Sequence, residues 1–213
     1  MGSTKTCHFT DFTMITLLFV AAAYLLGSLS FAVIVSRAMH LPDPRQYGSG
    51  NPGATNMLRT GRKTAAVLTL LGDALKGWVA VVLARALAPQ FGLDDSVVLL
   101  CALAVFIGHL YPVFFGFKGG KGVATALGVL VGLNPWLGLA CLLTWLLMAG
   151  VFRISSLAAV TTAMLAPVYA GLLMGWGRTA IAVLVIALLL VYRHKRNLIK
   201  LVNGEEGRIG VRS

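Results

Sequence analysis

Apolar stretches of membrane-spanning length dominate this chain and leave few folds open to it. Met14 to Met39, Thr64 to Leu87, Ser96 to Phe115, Ile154 to Met174 and Arg178 to Tyr192 each read as a span, a crossing helix taking roughly 17 to 25 residues. Alternation at strand period is absent, and lipid offers backbone polar groups no partner outside a helix or a closed barrel, so the spans read as helices. Of the 213 residues 58% are hydrophobic and 12% charged, with a mean hydropathy of +0.84; soluble domains are about 45–50% apolar. The fold class is therefore an all-α polytopic transmembrane helix bundle, with residues 1–213 forming one integral membrane domain. The net charge of +11 belongs to membrane loops, and no nucleic-acid partner is expected.

Gly122 to Gly150 is too long for one untilted span and is interrupted by Asn134-Pro135, a turn-initiating pair. It reads as one crossing or as a hairpin of two short ones. Basic residues decide, because short cytoplasmic loops carry the excess of Lys and Arg. With a hairpin, Arg37, Arg45, Arg59, Arg62, Lys63, Lys118, Lys121, Arg153 and the tail Arg193, Lys195, Arg196, Lys200, Arg208 and Arg212 share one side, leaving Lys5, Arg85 and Arg178 opposite and Lys76 within a helix. A single crossing would part Arg153 from the tail. The expectation is about seven membrane helices, with residues 1–12 extracytoplasmic, 193–213 a cytoplasmic tail, and one or both hairpin arms short.

The start of the chain carries two decoys. Gly2 to Thr6 fits an N-myristoylation pattern that an extracytoplasmic end could not use. Ala21 to Ala23 suggests signal cleavage, yet the apolar run continues to Val35, so an uncleaved span is expected. Cys7, Cys101 and Cys141 have no paired spacing and read as apolar fillers, without disulfide or metal.

Glycine-bearing polar segments gather on the basic side: "GSGNPGATNMLRTGR" from Gly48, "GHLYPVFFGFKGGKGVAT" from Gly108 to Thr125, and "RHKRNLIKLVNGEE" from Arg193 to Glu206. Gly48-x-Gly50-x-x-Gly53 has dinucleotide-fingerprint spacing, but it follows an apolar span and lacks the βαβ context. Gly120-Lys121 fails as a P-loop, because Gly122 stands where a hydroxyl should be and no strand precedes it. What remains is backbone that bends sharply and brings N–H groups to an anion. A lysine among them suits a monophosphate or acyl-phosphate oxygen.

These three segments, with "DALKG" at Asp73 to Gly77 and "RISSL" at Arg153 to Leu157, resemble in order the motifs of the bacterial acyl-phosphate:glycerol-3-phosphate acyltransferase family, the PlsY-type enzymes. The resemblance covers nearly the whole chain. It implies transfer of a fatty acyl group from acyl phosphate to the 1-hydroxyl of glycerol 3-phosphate, giving lysophosphatidic acid and phosphate, the first acylation of phospholipid synthesis. It implies no cofactor, a bacterial inner-membrane setting with the site facing the cytoplasm, and an acyl-phosphate-producing enzyme as partner. Ser49, Gly50, Asn51, Gly53, Thr55 and Asn56 would form one phosphate-binding turn, and Gly119, Gly120, Gly122 and Thr125 another around Lys121. Arg59 and Lys118 would add positive charge, and His194 with Asn197 would orient glycerol 3-phosphate.

Acyl phosphate is already activated, so direct attack by the glycerol hydroxyl needs no covalent acyl-enzyme. A His five residues before an Asp, the usual glycerolipid acyltransferase pair, is missing: His8, His40, His109 and His194 are followed at that offset by Thr13, Arg45, Phe114 and Ile199. The proton goes either to the departing phosphate or to His194. His109 either caps a helix end or touches substrate, and Ser155 and Ser156 either pack between helices or line the site. Asp73 and Lys76, three apart on a helix, read as a structural pair bracing the site, and the tryptophans as interface or packing residues. The rival class is a transporter or channel for a phosphorylated solute, but no internal repeat supports it.

Overall fold

The computed structural model describes residues 4–209, with side chains from residue 13. The acylation pattern at Gly2 to Thr6, the side chains of Lys5 and Cys7, and Arg212 fall outside the described part. Within it, regular structure is helical throughout: α1 (Thr4–Gly27), α2 (Phe31–Ala38), α3 (Ala54–Met57), α4 (Lys63–Leu87), α5 (Asp95–Leu110), α6 (Val123–Leu133), α7 (Pro135–Phe152), α8 (Ser155–Met174), α9 (Arg178–Arg193) and α10 (Lys195–Val202).

Among the described residues four helices (α4, α5, α7 and α8) are long and apolar enough to cross a membrane, and α1 with α2 makes a fifth span if the bent pair counts as one. Gly122 to Gly150 is a helical hairpin. Asn134 turns the chain, its Oδ1 accepting from the N–H groups of Trp136 (2.8 Å) and Leu137 (3.2 Å) at the start of α7. The arms are unequal: α6 has 11 residues and α7 has 18, so α6 reaches only about 16 Å at 1.5 Å per residue.

The first span departs from a single helix. Thr13–Gly27 and Phe31–Ala38 are bent by 45° at Ser28-Leu29-Ser30, where helix carbonyls lose their partners. Lys76 on α4 supplies one, its Nζ donating to the Leu29 carbonyl at 2.6 Å, and the same Nζ pairs with Asp73 Oδ1 at 2.7 Å. His109 Nδ1 lies 3.4 Å from that oxygen. All three side chains are buried. The expected structural pair is thus a cluster that props open the break and also reaches α5.

Close approach between helices rests on small residues, as in lipid-embedded bundles. A Cβ at Gly128 of α6 would strike the Ala74 carbonyl of α4, and one at Gly77 of α4 would strike the Thr125 carbonyl of α6. Arg85 Nη2 donates to the Leu133 carbonyl at 2.9 Å, closing the far end. These contacts fix a parallel register in which α6 runs beside only the second half of α4.

Candidate active site

The three glycine-bearing segments meet at one end of the bundle. In the first, the buried Asn56 amide shapes the loop. Its Oδ1 accepts from the Ser49 N–H (3.0 Å), and its Nδ2 donates to the carbonyls of Pro44 (2.8 Å) and Tyr47 (3.2 Å). Asn56 is therefore a brace whose donors and acceptor are engaged within the loop. Ser49, Gly50 and Thr55 stay exposed, Asn51 and Gly53 are half-buried, and Arg59 is exposed.

The second segment is built on His109. The Gly120 N–H donates to the His109 carbonyl at 3.1 Å. A Cβ at Gly120 would collide with His109 Nε2, and Gly122, at φ +88°, lies against the Phe106 ring. His109, held by Asp73 from below, is 7% exposed and lies beneath the loop as its foundation. Thr125 is likewise fully buried, in the first turn of α6 where that helix meets α4. Both side chains are buried where the chain turns inward at Gly122 to pack α6 on α4. Lys118 remains exposed.

The third segment closes over the second. Arg193 donates to the Gly119 carbonyl (2.9 Å) and to the Gly120 carbonyl (3.0 Å from Nη2), and its guanidinium lies 5.3 Å from the Tyr111 ring centroid. With those carbonyls tied back by Arg193 and the Gly120 N–H held by His109, the loop leaves its remaining N–H groups and Lys121 for an anion. Lys121 Nζ donates to Asn197 Oδ1 at 2.6 Å, Asn197 Nδ2 donates to Glu206 Oε1 at 2.7 Å, and Ser156 Oγ donates to the same oxygen at 2.6 Å. Ser155 Oγ lies 3.4 Å from Thr55 Oγ1, linking the start of α8 to the first loop. The tail is clasped by the Ile209 N–H donating to the Arg153 carbonyl at 2.6 Å.

Arg193 and Glu206 were not among the residues singled out from the sequence. Arg193 counted there as topogenic charge, whereas its anchoring depends on carbonyls more than 70 residues away. Glu206 carried a signal that was available, a carboxylate in a segment otherwise rich in cations.

The electrostatics favour an anion. Burial, above all, pushes the Lys121 amine below the usual lysine range; Glu206 opposes this while Arg193 and Arg59 reinforce it. An entering phosphate would relieve that excess of positive charge. At His194, Nδ1 lies 2.8 Å from the Leu190 carbonyl, which only accepts, so Nδ1 carries the proton and Nε2 the lone pair. Burial pushes this imidazole down to about 4, so it is neutral at pH 7.

The sequence matches the glycerol-3-phosphate acyltransferase family over residues 17–204. A glycerol-3-phosphate acyltransferase of Thiobacillus denitrificans is 80% identical, covering 94% of this chain and 100% of its own. One from Chromobacterium violaceum is 63% identical, covering 90% and 94%. Among solved structures, PlsY (YgiH), an integral membrane glycerol 3-phosphate acyltransferase, matches in its glycerol 3-phosphate form with a TM-score of 0.84 at 40% identity, over 92% of this chain and 96% of that one. Its lysophosphatidic acid form matches with a TM-score of 0.81 at 40% identity, over 92% and 95%. With its all-helical membrane architecture and its glycine-lined, cation-rich site, this chain belongs to the glycerol-3-phosphate acyltransferase family.

Proposed function

We propose that this protein transfers a fatty acyl group from acyl phosphate to the 1-hydroxyl of sn-glycerol 3-phosphate, giving lysophosphatidic acid and phosphate. The observation that carries the reading is the cluster of Lys121, Arg193 and Asn197 around a glycine loop whose carbonyls are turned away. Two phosphate-bearing substrates bring roughly four negative charges to one place and need such a cluster. Ser49, Gly50, Asn51, Gly53 and Thr55, with Arg59, offer a second anion-binding turn, and Ser155 and Ser156 border it. Lys118 adds positive charge at the mouth.

The hydroxyl attacks the acyl carbonyl carbon, the carbon–oxygen bond to phosphate breaks, and phosphate leaves with the electron pair. Lys121 and the loop N–H groups stabilise the charge that develops on the phosphate oxygens. The hydroxyl proton passes to the departing phosphate. A phosphate oxygen whose second ionisation falls at about 6 is a better acceptor than an imidazole at about 4. His194 Nε2 accepts a hydrogen bond from glycerol 3-phosphate and, with Asn197, orients it.

Purified protein in detergent, given acyl phosphate and labelled glycerol 3-phosphate, is expected to form labelled lysophosphatidic acid. Product from acyl-CoA alone would overturn the donor assignment. The setting belongs to the same proposal: about seven membrane helices in a bacterial inner membrane, the α6 arm spanning only part of it, the N-terminal side outside, the site in the cytoplasm, and an acyl-phosphate-producing enzyme upstream. Cysteines introduced at Thr60 and Asn203 should resist an impermeant thiol reagent in intact cells while one at Asp95 labels. Labelling at both Thr60 and Asp95 would sink this topology.

A further inference from the structure

A single residue, His194, separates α10 from α9. Tyr192, in the last turn of α9, is 55% exposed, and Lys195 Nζ lies 4.5 Å from its ring centroid and 3.3 Å from its hydroxyl. Aromatic and basic residues at the end of a span mark the boundary between lipid and water, so α10 starts at headgroup depth.

This short helix has two faces. Asn197 points inward to Lys121 and Glu206. On the opposite face Ile199 is 62% and Val202 86% exposed, and Lys195, Arg196 and Lys200 are exposed as well. At helical spacing Lys195, Ile199 and Val202 form one stripe, with Arg196 and Lys200 beside it. No described part of the protein covers this face. Apolar positions flanked by cations fit an anionic bilayer surface, which takes the side chains of Ile199 and Val202 and pairs the charges. A soluble acidic partner would have no reason to meet that face at headgroup depth, and a neutral bilayer would leave the cations without counter-charges.

We propose that α10 docks on anionic phospholipid of the leaflet at the C-terminal end of α9, and that this docking seats Asn197 against Lys121. The anionic lipid content of the membrane then sets the rate. The effect on rate rests on the acyl-transfer reading, whereas the docking itself does not.

The test uses the full chain in nanodiscs of phosphatidylcholine alone or with roughly one third phosphatidylglycerol. Turnover should rise about three- to tenfold with the anionic lipid and fall back at high salt. Arg196→Gln with Lys200→Gln should keep the phosphatidylcholine rate and lose the response. In parallel, a fluorophore on Val202→Cys, with Cys7→Ser, should be quenched by a lipid carrying a quencher high on its acyl chain, and more strongly in the anionic discs. An active enzyme with equal rates in both discs, or a label that is not quenched, overturns the proposal. No activity in either disc, with the label quenched, would instead count against the acyl-transfer reading and leave docking supported.

Discussion

Lys121→Ala is expected to lower the catalytic constant by roughly a hundredfold or more, with the protein still folded and monodisperse in detergent. Such a loss is about 2.7 kcal/mol of transition-state stabilisation. It follows from the geometry, because Lys121 Nζ is the cation held at the loop while the Gly119 and Gly120 carbonyls are bound by Arg193. In water a displaced ammonium would be replaced cheaply, but at this half-buried position the alternative is an uncompensated phosphate charge. Folding should survive, since the helix contacts at Gly77 and Gly128 do not involve the lysine. Near-normal turnover in Lys121→Ala would make the loop structural.

His194→Gln separates orientation from proton transfer. If the departing phosphate takes the proton, the glutamine variant should show a KM for glycerol 3-phosphate raised at least about tenfold, with turnover largely restored at saturation. An amide replaces the hydrogen bond but not the base. Any limb between pH 5 and 8 should then persist in the glutamine variant, because substrate phosphate ionises at about 6 whereas burial pushes His194 down to about 4; protonation below that value turns Nε2 from acceptor to donor and should weaken binding. A thousandfold fall in the catalytic constant at unchanged KM would identify His194 as the general base.

What could be read from the sequence and what could not divides along a physical line. The Asn134-Pro135 break was legible because capping and turn chemistry are local. Four of the clear spans end within a few residues of their predicted limits, because apolar runs and charges bound them. The break at Ser28 to Ser30 had a local signal in Gly27, Ser28 and Ser30 that was passed over within a long apolar run, and its carbonyl partner, Lys76, comes from 47 residues away. The burial of His109 and Thr125 was not legible for a related reason. Motif membership shows that a residue matters without showing whether it faces the ligand or stands behind the loop that does. Arg193 and Glu206 act through partners that only the folded chain brings near.

The parallel register of α4 and α6 decides how far a lipid donor must travel. The Lys121 loop stands on His109, which pairs with Asp73, ten residues into α4 from Lys63. At 1.5 Å per residue Asp73 lies about 15 Å along that helix from its start, and the loop stands on the imidazole that Asp73 holds. Each methylene drawn from hydrocarbon into water costs about 0.8 kcal/mol, so a site level with the outermost loops would have to extract several of them at every turnover. Under the proposed reaction, a recessed anion-binding loop would bring the water-soluble phosphate ester toward the acyl carbonyl while the lipid tail stays dissolved in the bilayer.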